Sequence, residues 1–190
     1  RLSYFLWSSA PDAELTQLAA TGKLHDPEVL AAQAKRMLKD ERIRRLATEF
    51  GCQYLHVREV AELDEKSERH FPTFVDVRES MQEEVTRFFI DLFQNNRSVM
   101  SLLDADYTFV NAALAAHYGM KAEEWGQKNT SVPHSPAPIL LPASDWHRVD
   151  HIRSQGRGGI LGFAATLAKQ AGASRTSGIL RGAWLTEVIL

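Results

Sequence analysis

Apolar positions recur every three or four residues along most of the chain, and the most regular series runs through Phe74, Val77, Met81, Val85, Phe88 and Leu92. That rhythm predicts an amphipathic helix from Phe74 to about Asn95, capped at Thr73, whose apolar stripe forms the core. Its methionine and phenylalanines read as packing rather than as a cofactor box, because such side chains fill cores by shape. Shorter helices are predicted before it. Asp26-Pro27-Glu28 opens one, with Asp as cap and Pro in the first turn, lined by Val29, Leu30, Ala34, Met37 and Leu38. Asp40 opens another, on which Ile43, Leu46, Ala47, Phe50 and Tyr54 share a side. Pro11 and Asp12 begin a helix that carries Leu15 and Leu18 and stops at Gly22. Leu2 to Trp7 is apolar nearly all round and reads as the buried end of a helix.

After the long helix, Asn111 is predicted to cap a short helix from Ala112 to His117, which Gly119 ends in the left-handed conformation. Residues 56–73 are polar and read as a connection. Between Lys121 and Ser144, Pro133, Pro136, Pro138 and Pro142 each remove a backbone donor and disfavour helix in the preceding residue, which predicts a long loop. Gly156 to Gly162 leads into a helix through Phe163, Ala164, Leu167 and Ala168 that Gly172 ends. Thr176 or Ser177 caps the last helix, whose apolar positions are Ile179, Leu180, Trp184 and Val188. No segment keeps the two-residue alternation of a strand and no repeat is present. The expected class is therefore all-α, an irregular multi-helix bundle with one long Pro-containing loop.

With 190 residues, 44% of them hydrophobic, the chain is long enough to bury a core. Lys and Arg number 22 against 24 Asp and Glu, a net charge of -2, so there is no bulk electrostatic case for nucleic acid or an anionic membrane surface. No apolar run approaches the ~20 residues a membrane span needs. The chain opens at Arg1 within a helical pattern and stops at Leu190 within another, which reads as a piece of a longer protein. Cys52 is alone, excludes an intrachain disulfide, and reads as a small buried hydrophobe.

Four constellations carry candidate chemistry. His147 and His151 lie four residues apart, a spacing that would place both imidazoles on one helix face as metal ligands, with Asp145 nearby. Two surface histidines explain the same residues, and the expected metal content is none. Gly156-Arg157-Gly158-Gly159 before a helix could cradle an anion on free amides, although it has neither dinucleotide-binding nor P-loop spacing. Arg175, Thr176, Ser177 and Arg181 combine hydroxyl caps with two guanidinium groups, suited to a carboxylate or phosphate. The competing reading pairs the arginines with Asp104, Asp106 or Glu187 inside the fold. Asp104 and Asp106 alone are too few for a calcium loop. No Ser-His-Asp or Cys-His arrangement is apparent, so no catalytic residues are assigned.

The stretch Leu103-Asp-Ala-Asp-Tyr-Thr-Phe-Val-Asn111, with Leu114 and His117-Tyr118-Gly119, resembles a signature of the uncharacterised helical domain of planctomycete-type cytochrome c multidomain proteins. Arg1-Leu-Ser-Tyr-Phe-Leu-Trp7 through Asp12 resembles that domain's start. Arg157-Gly-Gly-Ile-Leu161, Arg175-Thr-Ser177 and Arg181-Gly-Ala-Trp184 resemble the opening of the cytochrome-associated domain that follows. Gly178 stands where the family usually has Pro, and residues 121–145 match poorly.

The resemblance implies a helical domain over 1–120, a connection over 121–155, and the start of the following domain over 156–190, packed on the first. It implies export to the periplasm or outside the cell, neighbouring haem domains of the same polypeptide as partners, and haem c in those domains. This chain has no Cys-x-x-Cys-His and is expected to bind no haem alone. The implied role is a non-catalytic module supporting a haem environment or redox-partner docking, with His117, Arg175, Thr176, Ser177 and Arg181 near the haem of a neighbouring domain. Two other readings remain open: part of a haem-dependent oxidoreductase active site, or a redox-independent binding or scaffold module, for example for polysaccharide or a cell-surface protein.

Overall fold

The computed structural model describes residues 1–120 and 145–190, and these are mostly helical with one small sheet. The predicted loop over 121–144 lies outside the described residues.

Local sequence signals account for most helix starts. Helix α1 spans Leu2–Trp7 and α2 Ala13–Ala20, where the Asp12 carboxylate accepts from the Leu15 amide at 3.0 Å. Helix α3, Pro27–Leu38, begins with the Asp26 carboxylate accepting from the Glu28 amide at 2.9 Å. Helix α4, Ile43–Leu46, continues as π-helical turns over Ala47–Cys52. The longest element is α5, Phe74–Gln94; Thr73 takes the cap position but makes no side-chain cap bond. A short helix α6, Ser101–Asp104, precedes strand β1, Tyr107–Val110. Helix α7 is Ala112–His117, with Asn111 accepting from the Leu114 amide at 2.9 Å and Gly119 left-handed at φ 70°. Strand β2 is His147–Asp150, followed by α8 (Ala164–Lys169) and α9 (Gly178–Trp184).

The sheet corrects the all-α expectation. Strands β1 and β2 pair antiparallel, Tyr107 opposite Asp150 and Val110 opposite His147. Tyr107, Thr108 and Val110 are all buried, so the strand has no polar face and shows no alternation; its signal is its run of aromatic and β-branched residues. Part of the 121–155 stretch read as connection is thus strand.

Apolar side chains form two clusters. The larger surrounds α5: Val85, Phe88 and Phe89 pack with Val110, Leu114, Phe163 and Trp184 from the later elements and with Leu55, Val57 and Val60 from the stretch read as a polar connection. The smaller joins Leu6, Trp7, Leu15, Met37, Ile43 and Leu46. Ile90 and Phe93 pack against both.

Some apolar positions face solvent against expectation. Helix α1 buries Leu6 and Trp7 but leaves Tyr4 and Phe5 64% and 65% exposed, so it is amphipathic rather than buried all round. Phe50 and Tyr54 stack on each other at 6.1 Å outside the core, because the π-helical turns shift their phase relative to Ile43 and Leu46. On α9, Trp184 is buried while Ile179 is 85% exposed.

Candidate functional site

The site begins with a polar residue on the apolar stripe of α5. Glu84 falls between Met81 and Phe88 in the helical phase and is fully buried. Its carboxyl accepts from the Thr108 hydroxyl on β1 and, at 2.5 Å, from the Tyr118 hydroxyl at the end of α7. The same Tyr118 oxygen accepts from the Ala164 amide at 3.0 Å, at the first turn of α8. Burial pushes the Glu84 carboxyl up to about 7, against the two hydrogen bonds and the Arg157 charge, which favour its ionised form. Burial and Glu84 likewise raise the Tyr118 phenol well above its ordinary value. The Arg157 guanidinium lies 3.9 Å from the Tyr118 ring centroid and donates to the Gly162 carbonyl at 3.2 Å.

Beside this network opens a cavity of about 320 Å³. Phe71, Phe74, Met81 and Leu167 supply apolar wall, and Lys66, Arg157, Arg181, His70 and His117 supply cationic or imidazole groups. No Asp or Glu lines it among the described residues. Lys66, almost wholly buried, donates to the Ala171 carbonyl at 2.5 Å and has Glu65 at 3.7 Å. The Arg181 Nε is buried without a hydrogen-bond partner. His117 loses part of its hydration against the cavity wall and stands near Arg157, and both lower the pKa of its imidazole. Glu84 does not line the cavity, whereas Arg157, stacked over Tyr118, does.

The structure brings together three residues singled out from sequence, His117, Thr176 and Arg181, on this one cavity. Ser177 instead caps α9, accepting from the Leu180 amide at 3.2 Å, and Arg175 is exposed, its carbonyl accepting from the Gly172 amide. Neither arginine makes an ion pair among the described residues. Asp106 is taken by others: its carboxylate accepts from the Arg153 amide at 2.8 Å and faces His151 at 3.3 Å.

Two candidate sites are corrected. His147 lies in β2 and His151 follows it with a left-handed φ of 66°, so they share no helix face, and no group of three metal-ligating side chains occurs among the described residues. The Gly-rich run spends most of its amides inside the fold, Gly156 on the Arg153 carbonyl and Arg157 on the Ile152 carbonyl. Gly159 donates to the Ala105 carbonyl at 3.2 Å, and a Cβ there would sit 2.5 Å from the Leu103 carbonyl oxygen, so glycine lets this backbone press against α6. Cys52 is fully buried, burial raises its thiol, and Thr86 lies at 3.5 Å, as expected for an inert core cysteine.

Sequence reading missed Lys66 and Glu84. Lys66 sits in a polar run with no distinguishing signal. Glu84 had one, a carboxylate in phase with an apolar stripe.

Residues 1–120 match the model of a family described as "PSD4: Protein of unknown function (DUF1592)". No curated protein and no solved structure matches the chain.

Proposed function

The chain belongs to the DUF1592 family, whose function is unknown, and we propose that it is a non-catalytic helical binding module of an exported multidomain c-type cytochrome, supporting a haem environment or redox-partner docking. The observation that carries this reading is the cavity on which His117, Thr176 and Arg181 meet Arg157 and Lys66 with no acidic partner in its described lining. Cations converging on an apolar wall suit a carboxylate attached to an apolar body, which is what the edge of a haem presents. The fit is to that edge alone. A space of about 320 Å³ is roughly twice the ~150 Å³ that holds one benzene ring, too little for a four-ring macrocycle.

A haem carried by a neighbouring domain would supply one-electron transfer. Arg157 and Arg181 would hold a propionate by charge-assisted hydrogen bonds, His117 would offer an imidazole beside it, and Phe74, Met81 and Leu167 would exclude water from the contact. Glu84 takes no catalytic part in this reading, since it is sealed behind Tyr118 and Arg157. The test uses the full-length protein with its haem domains. Arg181→Ala and His117→Ala are expected to shift the haem spectrum or potential while leaving the melting temperature of this module nearly unchanged. A large drop in melting temperature with an unaltered haem would establish a structural role instead.

A further inference from the structure

We propose that the cavity is a binding site for a small amphiphilic monocarboxylate, an apolar body of one or two rings, or a chain of like volume, ending in a single carboxylate. The inference deepens the non-catalytic binding reading above and rests on it, but it requires no haem.

Charge sets the head group. Arg157 spends one N–H on the Gly162 carbonyl and Arg181 makes no side-chain hydrogen bond or ion pair among the described residues, so both guanidinium groups keep donors available. Arg181 has no counter-charge among the described residues and Arg157 has only the buried Glu84 nearby, and a ligand carboxylate supplies two acceptor oxygens in the spacing a guanidinium fork matches. Shape sets the rest. Phe71, Phe74, Met81 and Leu167 would strip water from a bare inorganic anion without replacing its hydrogen bonds, which disfavours phosphate. They reward an apolar body instead. A neutral hydrocarbon would leave the guanidinium groups unpaired. The volume admits about two rings by comparison with the ~150 Å³ that holds benzene.

The same chemistry has two sources, a free small acid or the propionate edge of a porphyrin. The experiment is calorimetric titration of the 190-residue chain with 3-phenylpropionate, with 3-phenylpropanol and inorganic phosphate as controls. One-to-one saturable binding of the acid alone is expected. Arg181→Gln should weaken it about tenfold, the size of one lost charge-assisted hydrogen bond, with the far-ultraviolet dichroism unchanged. Should that variant fail to fold, preference of the unmodified chain for the acid over the alcohol decides the matter. Competition then separates the sources: displacement by protoporphyrin IX but not by its dimethyl ester assigns the carboxylate to a porphyrin edge, and no displacement by either assigns it to a free acid. Absence of saturable 3-phenylpropionate binding to the folded chain, or equal binding of the alcohol, overturns the proposal. The haem measurement in the full-length protein is independent of that outcome, so failure of the ligand class and failure of the cytochrome reading are told apart.

Discussion

The two apolar clusters solve the burial of polar groups in opposite ways. In the N-terminal cluster, Trp7 is fully buried and satisfies its indole by donating to the Met37 carbonyl at 3.0 Å. Its charges stay outside: Arg42 covers the Trp7 ring at 3.4 Å, and Arg36 pairs with Asp12 at 2.7 Å where both still meet water. The α5 cluster takes a carboxyl inside, and three elements must converge to hold it through Thr108, Tyr118 and Ala164. A core closed by neutral groups is insensitive to pH near neutrality. A core built round Glu84 is not, and a cavity whose described lining carries Lys66, Arg157 and Arg181 lies next to it.

Removing the centre of the α5 cluster should have the largest effect. Phe88 is fully buried and contacts Phe89, Tyr107 and Phe163 ring to ring. Phe88→Ala is expected to cost about 3–5 kcal/mol in denaturant unfolding. A loss below about 1 kcal/mol would mean that the stripe is not core.

Glu84→Gln sharpens the contrast through pH. The native carboxyl titrates at about 7 against 4.5 for the unperturbed group. Between those values the folded state binds the extra proton, so stability is fully present below the lower value and falls as pH rises through the upper one. The size is on the order of 3 kcal/mol. The Gln variant keeps the shape and removes this loss, so melting temperature followed from pH 5 to 8 should decline less than in the native chain. Equal slopes would show that Glu84 titrates as an ordinary carboxyl.

Tyr118→Phe leaves a Glu84 oxygen and the Ala164 amide without their shared partner. It should cost about 1–3 kcal/mol and, with a stabilising bond to the carboxylate gone, extend the pH-sensitive range upward. The smallest effect is expected in the N-terminal cluster. Asp12→Ala removes the α2 cap and the Arg36 pair, and should cost about 0.5–2 kcal/mol with no change in the neutral-pH slope. A slope change there would remove the distinction between the two clusters.

Sequence alone determined what neighbouring residues decide among themselves. Caps at Asp26, Asn111 and Ser177, the left-handed stop at Gly119 and the stripe on α5 follow from contacts within a turn or two, so they were legible. The tertiary structure decided the rest. Strand β1 exists because β2 supplies its hydrogen bonds from far along the chain, and its largely buried residues carry no alternation to reveal it. Phe50 and Tyr54 kept the apolar spacing yet left the core when π-helical turns altered their phase. The cavity is the clearest case. His117 and Arg181 stood out singly by residue type, but whether they faced one ligand or separate solvent depended on α7, α8, α9 and the 66–73 segment closing round α5. Long-range packing of that kind is set by how whole apolar faces fit together, which no local window of residues contains.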